Sequence, residues 1–358
     1  MYSTSTQKKE WTFSKEEIEE KRRLANESFR NKQRELLQPG EEAIFLTVEE
    51  EAQMIAVVES AAIRFSDTFR PCMWPSVRWT AYAYFKRLFL GWSVMEASPK
   101  IVMMACFYLA MKVEEFYVTI DEFVANLKSG TPEQNTTRIL GLEPEIMRAL
   151  RYQITIHSPF RPFEGHLVEM KARMLLLNFN VEAIREPADQ FFRKALLSDV
   201  MLMYPPSQIA LAALKYGLDS LVEFFFSFDC PHTIKLLCSS VFCLFTALLH
   251  SSLRFVNKDV LGKSPDVLNE FLQKLMGVED DWKGMHGDAL HTIEKLIIRL
   301  TDIISVVNNG PKPLTAAEHA SIQARTEDWA SLNLALEERR QSRPGYAKKE
   351  EPVDSDDE

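Results

Sequence analysis

The stretch Ile101-Val-Met-Met-Ala-Cys-Phe-Tyr-Leu-Ala-Met111 decides the fold, because it carries apolar side chains at every position. A helix that is apolar on all sides has to be enclosed by other elements. Eleven residues are too few to cross a bilayer, which needs about 20. The stretch therefore predicts a central helix wrapped by other helices.

A second stretch has the same small and apolar character. It runs Ser207-Gln-Ile-Ala-Leu-Ala-Ala-Leu214 and also follows a proline. Each stretch lies partway through its own block of sequence, which predicts two similar helical units over 45–156 and 157–310. Between them, Ile156-His-Ser-Pro-Phe-Arg-Pro162 contains two prolines that break helix continuity.

Helix starts recur along the chain. In a capping box, a hydroxyl accepts from the third amide and a carboxylate reaches back to the cap amide. Four stretches have this pattern: Ser14-Lys-Glu-Glu17, Thr47-Val-Glu-Glu50, Thr119-Ile-Asp-Glu122 and Thr315-Ala-Ala-Glu318. Three more starts place proline after a cap residue, where its missing donor costs nothing: Ser98-Pro99, Thr131-Pro132 and Ser264-Pro265. With glycine scarce, at 12 of 358 residues, these starts predict an all-α chain.

The two ends of the chain are polar. Residues 1–44 form a charged segment with a helix at about 14–35, and a further helix covers 311–340. The tail, 341–358, is too rich in charge to pack, so we expect it to be disordered. Within it, Ser355 precedes Asp-Asp-Glu, which suits an acidophilic kinase; an inert solubilising tail is the equal alternative.

Composition limits the possible functions. A net charge of −9 argues against a nucleic-acid binder, since phosphate binding needs clustered cations. Five cysteines without regular spacing do not predict a disulfide framework. The first 20 residues contain no apolar run of signal-peptide type, which predicts a cytosolic or nuclear location.

Catalytic and metal motifs are missing from the sequence. We find no phosphate loop, HExxH, GxSxG or kinase signature, and no catalytic residue is predicted. A zinc site could be imagined from Cys230, His232, Cys238, Cys243 and His250. Their spacing matches no standard zinc motif and the cysteines lie among phenylalanines, so burial is favoured and neither metal nor cofactor is predicted.

Several motifs of the first unit resemble the cyclin family. They are Phe85-Lys-Arg-Leu-Phe-Leu90, Ser93-Val-Met-Glu96, Pro99 through Lys112-Val-Glu-Glu-Phe116, Ile139-Leu-Gly-Leu-Glu143 and Leu150-Arg-Tyr152. The resemblance implies two tandem five-helix cyclin boxes flanked by terminal helices, with the third helix of each box buried. Within the family the chain is most similar to the cyclin H branch, through Trp11-Thr-Phe-Ser14 and the linker Arg161-Pro-Phe-Glu-Gly165.

The resemblance also implies a kinase-binding site. The lysine that closes the third helix and the glutamate on the fifth fall on Lys112 and Glu143. Lysine can donate to partner carbonyls, and a carboxylate can accept from backbone amides. The whole implied site is Lys112, Val113, Glu114, Glu115, Phe116, Glu143, Met147 and Tyr152. Without the resemblance, solvation of a helix end and helix capping would explain both charges.

By the same resemblance, the chain is a nuclear regulatory subunit and not an enzyme. It would activate a cyclin-dependent kinase that phosphorylates other cyclin-dependent kinases and the C-terminal domain of RNA polymerase II. The implied partners are that kinase, a RING-type assembly factor and the transcription/repair factor H complex, with no membrane and no direct nucleic acid. The alternatives are another transcriptional cyclin, similar to cyclin C, and a cyclin-fold general transcription factor that binds DNA. The latter needs a basic face and a zinc ribbon, which the sequence lacks.

One stretch departs from the family pattern. Residues 222–253 hold six of the 23 phenylalanines and three of the five cysteines. We expect an insertion here, and a retained intron would explain the composition. A buried helix particular to this lineage is the alternative, while a membrane span is disfavoured because Asp229, Pro231 and Lys235 interrupt the run.

Overall fold

The computed structural model of the chain describes residues 2–173, 180–226, 287–312 and 314–342. These residues form helices and no strand, which confirms the all-α prediction. The first helices are α1 (Thr6–Glu10), α2 (Lys15–Gln33), α3 (Val48–Thr68), α4 (Pro75–Leu88), α5 (Pro99–Val113), α6 (Ile120–Ala125) and α7 (Pro132–Ala149). The later ones are α8 (Phe160–Arg173), α9 (Arg185–Leu197), α10 (Val200–Met203), α11 (Pro206–Phe226), α12 (Gly287–Asn308) and α13 (Ala316–Gln341).

Local sequence explains where these helices begin. All four predicted capping boxes are present, at the starts of α2, α3, α6 and α13. At α13, the Glu318 N–H donates to the Thr315 hydroxyl at 3.3 Å and the Thr315 N–H donates to the Glu318 carboxylate at 2.7 Å. Proline opens α5 and α7 as predicted, although Ser98 makes no side-chain cap bond.

The chain forms two compact units. The first unit comprises Phe13–Met73, Tyr84–Ile154 and Lys312–Glu358, and the second comprises Met1–Thr12, Trp74–Ala83 and Thr155–Pro311. The predicted domain limits stay predictions.

The core of the first unit is built around α5. Ten of its 15 residues are buried, which confirms the central helix predicted over 101–111. It packs against α3 and α7, and α6 packs against α7. The C-terminal end of α5 therefore lies beside α7.

The second unit is built around α11. Its residues Ile209, Ala210, Leu211, Ala212, Ala213 and Leu214 are all buried. The helix packs against α8, α9 and α12. The second apolar stretch is therefore also a central helix, as its composition predicts.

The C-terminal helix α13 is anchored on the first unit. Arg339 makes a two-point ion pair with Glu41, at 2.6 and 2.7 Å, and Arg325 pairs with Glu50 at 2.7 Å. Hydrogen bonds from Arg339, and a further one from the Gln38 amide, lower the pKa of Glu41 to about 2. Since that pKa is depressed in the folded chain, the contact stabilises above the ordinary carboxyl pKa and weakens as pH falls toward 2.

Removing the cap of α13 tests this anchoring. Thr315→Ala is expected to cost about 1 kcal/mol, because the Glu318 amide loses its acceptor. The measurement is amide hydrogen exchange along α13, where the first turn should exchange several-fold faster. The matched control is Thr137→Ala, an exposed threonine within α7 that caps nothing. Equal effects of the two substitutions would contradict the role of the cap.

Some predictions fall outside the described residues. Of the stretch 222–253, only 222–226 lie in a described element, where they extend α11. Four predictions lie outside the described residues: the rest of that stretch, the imagined zinc site (Cys230, His232, Cys238, Cys243 and His250), the helix start Ser264-Pro265, and the tail with Ser355. Among the described helices, none is both long and apolar enough to cross a membrane.

Candidate functional site

Lys112 and Glu143 are brought together by the packing of α5 against α7. The Lys112 ammonium lies 2.8 Å from both carboxylate oxygens of Glu143. The lysine side chain is 44% exposed and that of the glutamate 16%. The two predicted residues therefore form one ion pair that is open to solvent on the lysine side.

This pair keeps hydrogen-bonding capacity for a partner. An ammonium group has three donors, and each carboxylate oxygen can accept more than one hydrogen bond. Both residues can thus bind a partner's backbone while remaining in contact with each other. The pair fixes the position of two charges that would otherwise sit on flexible side chains.

The ring of Tyr108 also contacts the Lys112 ammonium. The Lys112 ammonium lies 4.6 Å from the centroid of the Tyr108 ring, within the range of a cation–π interaction. Tyr108 itself is 8% exposed, so its ring is held by the core of the unit. The lysine is therefore oriented by two contacts, one ionic and one aromatic.

Both helices end in the same backbone motif beside the pair. At the end of α5, the Phe116 N–H donates to the Met111 carbonyl and Glu115 has a φ of 57°. At the end of α7, the Tyr152 N–H donates to the Met147 carbonyl at 2.8 Å, and Arg151 has a φ of 53°. These bonds are those of a Schellman motif, in which glycine is the usual left-handed residue.

The absence of glycine at these ends has an energetic cost. Left-handed backbone costs a residue with a Cβ roughly 1–2 kcal/mol. Glu115, Arg151 and Tyr152 all adopt it, at φ values of 57°, 53° and 57°. Conformations of this kind concentrate at functional sites, where the surrounding packing holds them in place. Here the two turns direct the chain that follows α5 and α7 away from the helix axes.

The predicted apolar contacts differ in exposure. Tyr152 is 66% exposed, Val113 and Met147 are half-buried, and Phe116 is buried. Phe116 therefore supports the surface from inside the unit. Glu114 is half-buried and Glu115 is exposed. All eight predicted residues lie on α5, on α7 or on the turns that end them, and their role in binding stays a prediction.

Two exposed apolar residues were missed by sequence reasoning. Tyr117, next to Phe116, is 90% exposed, and Leu140 is 39% exposed. Leu140 precedes Glu143 by three residues, which places both on one face of α7. The sequence offered one signal for Tyr117, since it is an aromatic residue in the short connecting segment Tyr117-Val-Thr119. Leu140 lies in a regular helical pattern, which gives no sign that its side chain is exposed. We call Lys112, Glu143, Tyr117, Leu140 and Tyr152 the Lys112 patch.

Metal binding has no support within the part of the chain that the structure describes. That part contains no group of three or more His, Cys, Asp or Glu side chains placed to hold a metal ion. The Lys112 patch offers donors, acceptors and apolar surface, which are the means of binding a protein.

Two family models match this sequence, one in each predicted cyclin box. The model described as "Cyclin, N-terminal domain" matches residues 72–155, and "Cyclin C-terminal domain" matches 158–236. The second match runs into the stretch 222–253.

Two curated relatives match most of their own length. "Cyclin-H" of Xenopus laevis is 40% identical over 218 residues, which cover 60% of this chain and 67% of the relative. "Cyclin mcs2" of Schizosaccharomyces pombe is 31% identical over 227 residues, covering 60% and 68%.

A solved structure shares the fold. It is a chain of the CAK complex of Chaetomium thermophilum bound to ATP-gamma-S, with a TM-score of 0.54 and 20% identity over 98% of this chain and 97% of that one. At this identity the likeness supports the fold alone.

Proposed function

This chain belongs to the cyclin H family of cyclins, and from that membership we propose that it binds and activates a cyclin-dependent kinase. The kinase would phosphorylate other cyclin-dependent kinases and the C-terminal domain of RNA polymerase II. One observation carries the proposal: Lys112 and Glu143 form an ion pair at the surface of the first unit, with the lysine side open to a partner.

The geometry of the pair suits recognition of a main chain. A lysine that donates and a glutamate that accepts can hold a partner's carbonyls and amides together, whatever side chains the partner carries. Tyr117, Leu140 and Tyr152 are exposed apolar residues on α7 or on the segments that follow α5 and α7, and they would add apolar area to the interface. Aromatic residues are enriched in the buried centre of interfaces, where they contribute most of the binding energy.

Activation would be allosteric. An inactive cyclin-dependent kinase holds its αC helix rotated outward, away from the position that completes its own Lys–Glu ion pair. A cyclin that binds the inward position better shifts the kinase toward it, in proportion to the difference in affinity. The Lys112 patch offers contacts to a partner and no reacting group, so we expect the chain to act as a regulatory subunit and not as an enzyme, without a cofactor.

The remaining partners follow from the same family. We expect a RING-type assembly factor and membership of the transcription/repair factor H complex, and hence a nuclear location, with no direct contact with nucleic acid or membrane. The helices α2 and α13, which pack on α3, would brace the first cyclin box or dock these partners.

A pull-down tests the kinase interface. Lys112→Ala/Glu143→Ala should weaken capture of a cyclin-dependent kinase subunit at least tenfold, because the partner backbone loses charge-assisted hydrogen bonds. Circular dichroism establishes that the variant remains folded. The measurement is kinase retained on the immobilised chain, together with its activity.

The matched control is a second lysine–glutamate pair. Lys171 and Glu182 form an exposed ion pair that joins two elements of the second unit. Lys171→Ala/Glu182→Ala should leave capture unchanged. If a folded Lys112→Ala/Glu143→Ala variant captures and activates the kinase fully, the assignment of the interface is wrong.

A further inference from the structure

Helix α7 contains the two residue types that a helix interior disfavours most. Gly141 and Pro144 both lie well inside Pro132–Ala149. Glycine weakens a helix because its backbone loses more freedom on folding than that of any other residue. Proline weakens it because it has no N–H and its ring crowds the preceding turn. Two such residues within one turn destabilise α7 locally, so their presence needs a physical reason.

The packing of the first unit does not supply that reason. Gly141 and Pro144 are both exposed. A Cβ added at Gly141 would meet no heavy atom within 4 Å, so crowding does not require glycine there. Gly141 also lies in helical backbone, which every residue with a Cβ can adopt. A role at the surface of α7 is what remains for this glycine.

Pro144 changes the hydrogen-bonding groups that α7 offers at its surface. In a regular helix, the N–H of residue 144 would donate to the carbonyl of residue 140. Proline has no N–H, so this bond cannot form and the Leu140 carbonyl keeps capacity to accept one. Leu140 is itself 39% exposed. The proline therefore gives α7 an additional acceptor on its solvent side.

This acceptor adjoins the Lys112–Glu143 ion pair. Leu140 precedes Glu143 by three residues and Pro144 by four, so it lies between them on the surface of the helix. Gly141 adjoins Pro144 on its other side. The Glu143 carboxylate and the Leu140 carbonyl thus form a pair of neighbouring acceptors, which complements a partner segment with N–H groups. The missing side chain at Gly141 allows a main chain to come close to the helix.

We propose that residues 140–144 form a second main-chain contact for the kinase, in which the Leu140 carbonyl accepts from a backbone N–H of the partner and Gly141 admits that backbone. The inference rests on the proposed function and extends the Lys112 patch along α7. Gly141 and Pro144 then weaken the helix of the isolated chain and strengthen the complex. They act as specificity-determining residues, since other residues at these positions would fill the space or occupy the carbonyl.

Substitutions at position 144 test the role of the carbonyl. Pro144→Ala restores an N–H that can donate to Leu140, so the melting temperature of the chain should rise. Capture of the cyclin-dependent kinase subunit should fall about threefold, because the carbonyl is then occupied. Lactic acid at position 144 has the alanine side chain with an ester oxygen in place of the N–H, and it should preserve capture. Equal capture by the alanine and lactic acid variants would overturn the role of the carbonyl.

Substitutions at position 141 test the close approach. Gly141→Ala adds a methyl group that meets nothing in the isolated chain, so the melting temperature should rise. Capture should nevertheless fall, and Gly141→Leu should lower it roughly tenfold because its larger side chain obstructs the partner. A variant that is more stable and binds less cannot be explained by misfolding. Wild-type capture by Gly141→Leu would overturn the close approach.

The matched control is a glycine of the second unit. Gly165 is an exposed residue of α8, and a Cβ added there also meets nothing within 4 Å. Gly165→Ala should raise the melting temperature in the same way, and Gly165→Ala and Gly165→Leu should both leave capture unchanged. A loss of capture equal to that of the Gly141 variants would show that helix stiffening, and not contact with the partner, is responsible.

The pair variant Lys112→Ala/Glu143→Ala in the same assay separates this inference from the proposed function. If the pair variant loses capture while Pro144→Ala and Gly141→Leu keep it, the interface stands and the contact at 140–144 is wrong. If the pair variant keeps capture, the assigned interface is wrong and the contact at 140–144 falls with it.

Discussion

Glu59→Ala is expected to lower the free energy of unfolding of the first unit by about 3–5 kcal/mol. The Glu59 carboxylate accepts from the Lys86 ammonium at 2.6 Å, between α3 and α4. The two side chains are only 2% and 3% exposed. Alanine at position 59 removes the carboxylate that pairs with this buried ammonium, which is then poorly solvated.

The comparison that isolates this effect removes both charges. Glu59→Leu/Lys86→Met fills a similar volume with apolar groups, and such replacements are often neutral or stabilising by about 1–4 kcal/mol. Chemical unfolding and hydrogen exchange of α3 and α5 provide the measurement. If Glu59→Ala cost less than 1 kcal/mol, Lys86 would have another effective partner. If the double substitution cost as much as the single one, packing would be responsible and not the unpaired charge.

This buried pair shows what the sequence could not predict. Apolar residues at helical spacing in α3 and α4 are visible in the sequence itself, because helical periodicity is a local property. Glu59 and Lys86 look like ordinary exposed residues in that pattern. The two residues are 27 positions apart in the sequence, and their burial depends on how α3 packs against α4. A single sequence carries no direct signal for that packing.

Helix starts, by contrast, were predictable in detail. A capping box involves a hydroxyl and a carboxylate three residues apart, so all of its atoms come from one short stretch. The same reasoning could not anticipate the left-handed ends of α5 and α7. Their backbone conformation is usually signalled by glycine, and Glu115 and Arg151 stand there instead.

The candidate site was predicted only in part. Family resemblance selected Lys112 and Glu143, each with its own role toward a partner. The structure adds that they bind each other and that Tyr108 orients the lysine. Tyr117 became visible only through its 90% exposure. The residue types in a site can thus be inferred from sequence, while their mutual contacts depend on helix packing.

Trp329→Ala is expected to remove about 3–5 kcal/mol from the docking of α13, as large aromatic truncations in cores do. The Trp329 ring lies 5.6 Å from the ring centroids of both Phe29 and Phe45, and its side chain is 6% exposed. It therefore joins three separate elements: α13, α2 and the segment before α3.

The distribution of lost hydrogen-exchange protection among the helices is more informative than the total loss of stability. Amides of α13 and α2 should lose protection in hydrogen exchange, because Phe29 and Phe45 lose the ring between them. Those of α5 should keep it, since the two ring contacts of Trp329 go to α2 and to the segment before α3. The control is Leu334→Ala, which truncates a 68% exposed residue of the same helix and should change stability by less than about 0.5 kcal/mol. If α13 stays protected in Trp329→Ala, then Arg325 and Arg339 hold the helix through their ion pairs and the aromatic cluster is secondary.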